Sequence, residues 1–209
     1  MTINPRAASL LLLPGLLVLG ACASDPPALV ALPAAPAASQ AAANPATLLL
    51  RPVTIPGYLD NLNVVTSRQG GSITQDQGTE WAERLGDGTT RVLAGALSDR
   101  LGPGNLLIEG DGRIPDADLS IQITRMDPQP DGKLVLEARW TLVGSMGDRP
   151  VRAGTESISV PFSPRTPAGI ADATAQALGQ LADRLVVAAE TFPRMAQTMP
   201  GPGSATVPR

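Results

Sequence analysis

Asp118-Leu119-Ser120-Ile121-Gln122-Ile123-Thr124-Arg125-Met126 decides the fold. Leu119, Ile121 and Ile123 alternate with Ser120, Gln122 and Thr124. A period of two predicts a strand with one dry and one wet face. Asp131-Gly132 then turns the chain into Lys133–Val143, where Leu134, Leu136, Ala138, Trp140 and Leu142 share a side. After a loop at Asp148-Arg149-Pro150, Val151–Phe162 sends Ile158, Val160 and Phe162 inward. Three such strands predict an antiparallel meander.

The dry face of that meander needs a cover, and two helical patterns supply it. Thr166 reads as an N-cap with Pro167 at the first helical position, ahead of a stripe of Ile170, Ala177, Leu178, Leu181, Leu185 and Ala188. Upstream, Trp81, Leu85, Val92, Leu93, Ala96, Leu97 and Leu101 fall mostly on one helical face. Gly86-Asp87-Gly88 delays the regular part, and Gly102-Pro103 stops it. Shorter strands are predicted at Thr47–Ile55, Asn61–Arg68, near Ile73 after Gly70-Gly71, and at Asn105–Glu109. The expected class is α+β: a mainly antiparallel sheet with two helices packed on one face, a two-layer sandwich.

The ends of the chain read differently. Arg6, an apolar stretch from Leu10 to Leu19 and the small residues Gly20 and Ala21 describe a secretory signal over residues 1–21. The stretch is too short to span a bilayer, which takes about 20 apolar residues. Leu19-Gly20-Ala21-Cys22 is similar to a bacterial lipobox, with a thiol placed to receive diacylglycerol. Cys22 is the only cysteine, so no disulfide forms within the chain, and a covalent lipid there is the only attached group expected. Ala23 and Ser24 follow it, without the directly adjacent aspartate of an inner-membrane retention signal. That favours an outer-membrane lipoprotein facing the periplasm. Residues 22–46 are Ala/Pro-rich without a period and are expected to form a tether, reaching about 70 Å at roughly 3 Å per residue. The folded domain is expected over residues 47–191, with a disordered tail at 192–209.

Composition narrows the chemistry. The 209-residue chain has no histidine and a formal net charge of −3. That removes the usual general base, the usual metal ligand and any Ser-His-Asp triad. With Cys22 committed to lipid, thiolate catalysis and a cysteine metal site go too. Asp116 and Asp118 read as a solvated strand edge rather than a catalytic pair. Nucleic acid is disfavoured by the acidic balance and by the absence of any Lys/Arg run. No enzyme, cofactor or metal is indicated.

The run Pro52-Val53-Thr54-Ile55-Pro56-Gly57-Tyr58-Leu59-Asp60, with Val64-Val65, Arg68 and Trp81-Ala82-Glu83-Arg84-Leu85, resembles the PqiC-type ABC-transport auxiliary lipoproteins. Arg91, Leu93 and Leu97, and the hairpin Asp131-Gly132 with Leu136-Glu137-Ala138-Arg139-Trp140, extend the resemblance over most of residues 48–188. It implies a membrane-anchored accessory to an MCE-type lipid transport system that maintains membrane integrity. An MCE-domain protein of a lipid ABC transporter would be its partner. Candidate interaction residues are Pro56, Tyr58, Leu59, Asp60 and Trp81, since aromatic turn residues are enriched at interfaces. Leu59 and Trp81 equally fit a role as core filling between helix and sheet. On the docking reading, Tyr58→Ala weakens partner capture and spares the melt. The alternative is a periplasmic carrier holding an acyl chain in its own cavity, although few aromatics remain to line one. An edge strand leaves room for a homo-oligomer.

Overall fold

A computed structural model describes residues 25–38, 41–43, 45–145 and 150–194. The signal peptide, Cys22 and most of the expected tail lie outside the described residues. In chain order the elements are β1 (Ala28–Val30), β2 (Leu48–Leu50), β3 (Asn63–Gln69), β4 (Ser72–Trp81), α1 (Leu85–Leu101), β5 (Leu106–Leu107), β6 (Ala117–Pro128), β7 (Lys133–Gly144), β8 (Val151–Pro161) and α2 (Pro167–Glu190).

The class is the α+β one that the patterning predicts. A five-stranded sheet runs β5-β2-β6-β7-β8, and a second sheet of three strands runs β1-β4-β3. The meander stands as read: Ile121 lies opposite Trp140, and Leu136 opposite Ile158. Helix α2 lies on β7 and β8, and α1 lies beside α2. Thr166 caps α2, its hydroxyl accepting from the Gly169 amide at 3.2 Å, with Pro167 at the first position. Gly102, at φ 83°, ends α1 in the left-handed region where a Cβ is costly. Leu93, Leu97, Leu136, Ala177, Leu178 and Leu181 meet in a filled core between helices and sheet.

Four features differ from expectation. The larger sheet is mixed, because β2 runs parallel to both β5 and β6. The strand expected near Ile73 is ten residues long and ends on Trp81, so Trp81 belongs to β4 and the helix begins only at Leu85. A bulge falls between Ile123 and Arg125 of β6. The extra residue reverses the alternation, turning Met126 into the core and Asp127 to the opposite face.

The fourth difference is the expected tether. Its described part lies on the domain. Ala28, Leu29 and Val30 pair in parallel with Thr79, Glu80 and Trp81, and Leu32 is buried. Arg91 then donates to the Leu32 carbonyl at 3.0 Å, and Arg100 to that of Pro36 at 3.4 Å. The Ala42 amide donates to the Arg100 carbonyl at 2.7 Å, and that of Ala46 to Ala189 at 3.3 Å. This strap follows α1 to the end of α2. Gly179 permits the approach: a Cβ there would stand 3.3 Å from Pro36 and 3.4 Å from Ala35. The buried Arg100 fastens it, also donating to Asp183 at 2.5 Å and to the Ala96 carbonyl at 3.0 Å. Proline-rich chain adopts such a path readily, because its extended form is already ordered before it docks.

Candidate functional site

The segment that carries the resemblance, Pro56–Asp60, is a tight turn. The Leu59 amide donates to the Pro56 carbonyl at 2.9 Å, and the Asp60 amide to that of Gly57 at 3.3 Å. Asn61 closes it from below, its side-chain amide donating to the Tyr58 carbonyl at 2.9 Å. Leu59 points inward and is 2% exposed. Trp81 is 4% exposed, and its indole N–H has no partner among the described residues. Both therefore fill the core, and neither presents a surface to a partner. Asp60 lies at the surface, paired with Arg84 at 2.6 Å, beside an open cleft of about 280 Å³. Pro56 is half-buried.

Tyr58 is held from the far side of the fold. Its hydroxyl donates to Asp127 at 2.6 Å and accepts from Arg68 at 2.9 Å. Arg68 also donates to the second Asp127 oxygen at 2.9 Å, and its guanidinium lies 5.1 Å from the Tyr58 ring centroid. Arg125 adds a third donor at 3.2 Å and reaches Glu137 at 3.4 Å. The Asp127 carboxylate is 0% exposed and is matched by two guanidinium groups and one phenol. A buried carboxylate persists when its oxygens are paired in this way. Burial first, and then the bond to Asp127, push the Tyr58 phenol up to about 12 from its ordinary 10.0.

Of the five candidate residues, the structure thus leaves the Asp60 side chain the most open, keeps Pro56 half-buried, and makes the half-buried Tyr58 the tie between turn and sheet. The sequence reading missed Asp127 and Arg125. Continuing the period-two pattern past Ile123 gave no reason to put a carboxylate under Tyr58; only the bulge does so. Asp118 and Asp116 are engaged as well: Asp118 accepts from Arg51 at 2.9 Å, and Asp116 accepts from the Thr47 amide at 2.7 Å. Among the described residues no cluster of three or more metal-ligating side chains occurs, and no helix is long and apolar enough to cross a membrane. The Tyr58–Asp127–Arg68 group ties the turn to β6, and Arg68 and Arg125 also line an open cleft of about 370 Å³.

A family model described as an ABC-type transport auxiliary lipoprotein component matches residues 30–186, starting inside the strap rather than at residue 47. The fold is similar to a crystal structure of an uncharacterized protein, at TM-score 0.63 and 18% identity over 78% of this chain and 99% of that one. It is also similar to a DUF330 protein from Xanthomonas campestris, at TM-score 0.58 and 21% identity over 76% of this chain and 92% of that one. No curated protein sequence gives a significant match.

Proposed function

Because this chain belongs to the family of ABC-type transport auxiliary lipoprotein components, we propose that it is a non-catalytic docking subunit of an MCE-type lipid transport system, anchored by a lipid on Cys22 to the outer membrane and facing the periplasm. Family membership alone makes it an envelope lipoprotein with a transporter as partner. The finer reading holds that an MCE-domain protein meets the exposed side of the Pro56–Asp60 turn, which the buried Asp127 group keeps in one shape. Pre-organised loops bind with less ordering cost.

The observation that favours docking over lipid carriage is the filled interior. Leu93, Leu97, Leu136, Leu178 and Leu181 are all buried against one another, where a carrier needs several hundred Å³ of apolar space. Two of the clefts among the described residues, of about 280 and 450 Å³, are open and lined by Asp60, Arg84 and Thr90, or by Arg51, Gln122 and Arg139.

The test is photo-crosslinking in cells from positions 56 and 60, with identification of the captured protein. An MCE-domain protein is expected, and capture should survive at a position flanking the turn. Stoichiometric phospholipid in native mass spectra of the purified protein, without such a crosslink, would favour the carrier instead. Labelling with a radioactive fatty acid should disappear in Cys22→Ser; retained label removes the anchor from the reading.

A further inference from the structure

Opposite the helices, the outer face of the larger sheet carries an open cleft of about 450 Å³ whose lining includes Arg51, Thr54, Ser120, Gln122, Arg139 and Thr141. Three segments shape it. The chain after β2 forms one wall, where the Arg51 and Thr54 amides donate to the Leu119 and Ile121 carbonyls. Strands β6 and β7 form the floor, with Gln122 opposite Arg139 and Ser120 opposite Thr141. Directly opposed side chains on one face stand roughly 5 Å apart at Cβ, so these four converge on one small area.

None of the four makes a side-chain hydrogen bond or ion pair among the described residues. Eight other arginines, Arg51 and Arg125 among them, hold carboxylates, whereas Arg139, like Arg152 and Arg165, forms no ion pair among the described residues. Arg139 is therefore an uncompensated cation beside two idle hydroxyls and an idle amide. Arg51 supplies a second guanidinium across the cleft, fixed in place by Asp118 at 2.9 Å and Glu109 at 3.2 Å. Those carboxylates cancel its charge without filling its side of the cleft.

We propose that this cleft binds a phosphoryl oxyanion, as a phosphate mono- or diester. A tetrahedral oxyanion offers acceptors in several directions at once. Donors here come from both floor strands and the wall, whereas a planar carboxylate would use fewer of them. Arg139 gives the fork that matches two phosphate oxygens, with Ser120, Thr141 and Gln122 completing the set. Asp118 sets the limit on charge: it repels the anion from the Arg51 side, so Arg139 carries the affinity. The cleft is lined by no residue of the Pro56–Asp60 turn.

The test uses the full chain carrying Cys22→Ser, so that no anchor contributes. It is titrated at constant ionic strength with glycerol 3-phosphate, with inorganic phosphate, and with vesicles of phosphatidylglycerol in phosphatidylcholine. Amide chemical shifts should move at residues 120–122 and 139–141. Arg139→Gln should weaken binding at least tenfold, and Arg139→Lys should retain part of it. Saturable binding to the vesicles alone identifies a lipid headgroup as the source, and binding to the soluble anions identifies free phosphate or its esters. Shifts scattered over the surface, or equal binding by Arg139→Gln, overturn the proposal.

Discussion

Replacing Tyr58 by phenylalanine removes one oxygen and leaves the ring in place. The lost bond, 2.6 Å long, ends on a carboxylate that is 0% exposed. A hydrogen bond to a charged group contributes about 1.5–3 kcal/mol net. Arg68 and Arg125 remain on Asp127 after the change, so its charge stays compensated and a loss of about 2 kcal/mol is expected. For a fold of this size each kcal/mol shifts Tm by about 2–4 °C, which gives a drop of roughly 4–8 °C. A double-mutant cycle with Asp127→Asn in urea should return a coupling of about 1 kcal/mol or more. A second assay reads the same bond directly. Tyr58 is the only tyrosine, so absorbance at 295 nm titrates it alone. Its midpoint should lie near 12 in the folded protein and near 10.0 in urea. A folded value raised above the unfolded one means that the contribution is complete below pH 10 and is lost as pH climbs from 10 to 12. A wild-type midpoint near 10 together with an unshifted Tm for Tyr58→Phe would refute the buried bond. It would restore the simpler expectation that Tyr58→Ala touches only partner capture. With the bond in place, that variant costs stability first.

Other outcomes are equally direct. Gly154→Ala places a Cβ 2.6 Å from the Trp140 ring; it should cost about 1–3 kcal/mol through overpacking and alter the near-UV circular dichroism. Thr166→Ala removes the cap of α2 and should lower stability by about 1 kcal/mol in urea unfolding, with Thr166→Ser close to wild type. Leu32→Ala together with Arg100→Met should speed hydrogen exchange in residues 28–46 while the amides of β6 and β7 stay protected; equal change in both would mean that the strap opens only with the whole fold.

The legible part of the fold was the part with a period. Strands β6, β7 and β8 and helix α2 were visible because their apolar positions repeat every two or 3.6 residues and because Thr166-Pro167 and Asp131-Gly132 punctuate them. The parallel pairing of β2 left a trace, the unbroken run Leu48-Leu49-Leu50, which suits a strand flanked on both sides, but it did not name its neighbours. Trp81 satisfied the helical spacing by coincidence of position, since its strand ends four residues before the helix begins. Asp127 was hidden by a single inserted residue, and no local signal marks a bulge in Ile123-Thr124-Arg125. The strap was hidden because it has no period. One leucine, a few carbonyls and a matching glycine on α2 hold it, and all of these partners lie far away in sequence. The site suffered accordingly: its turn was found, and the buried group that shapes the turn was not.

The strap also alters the mechanics of attachment. With residues 28–30 laddered to β4, position 22 lies only six residue steps from the first fixed point, a span of at most about 20 Å. A lipid at Cys22 would then act as a short mooring line made fast to one flank of the domain, where β1 meets β4. A domain swinging on a 70 Å rope samples every orientation. A domain moored this closely turns the β1–β4 flank toward its bilayer, and a bridging partner would meet it at a restricted height and angle.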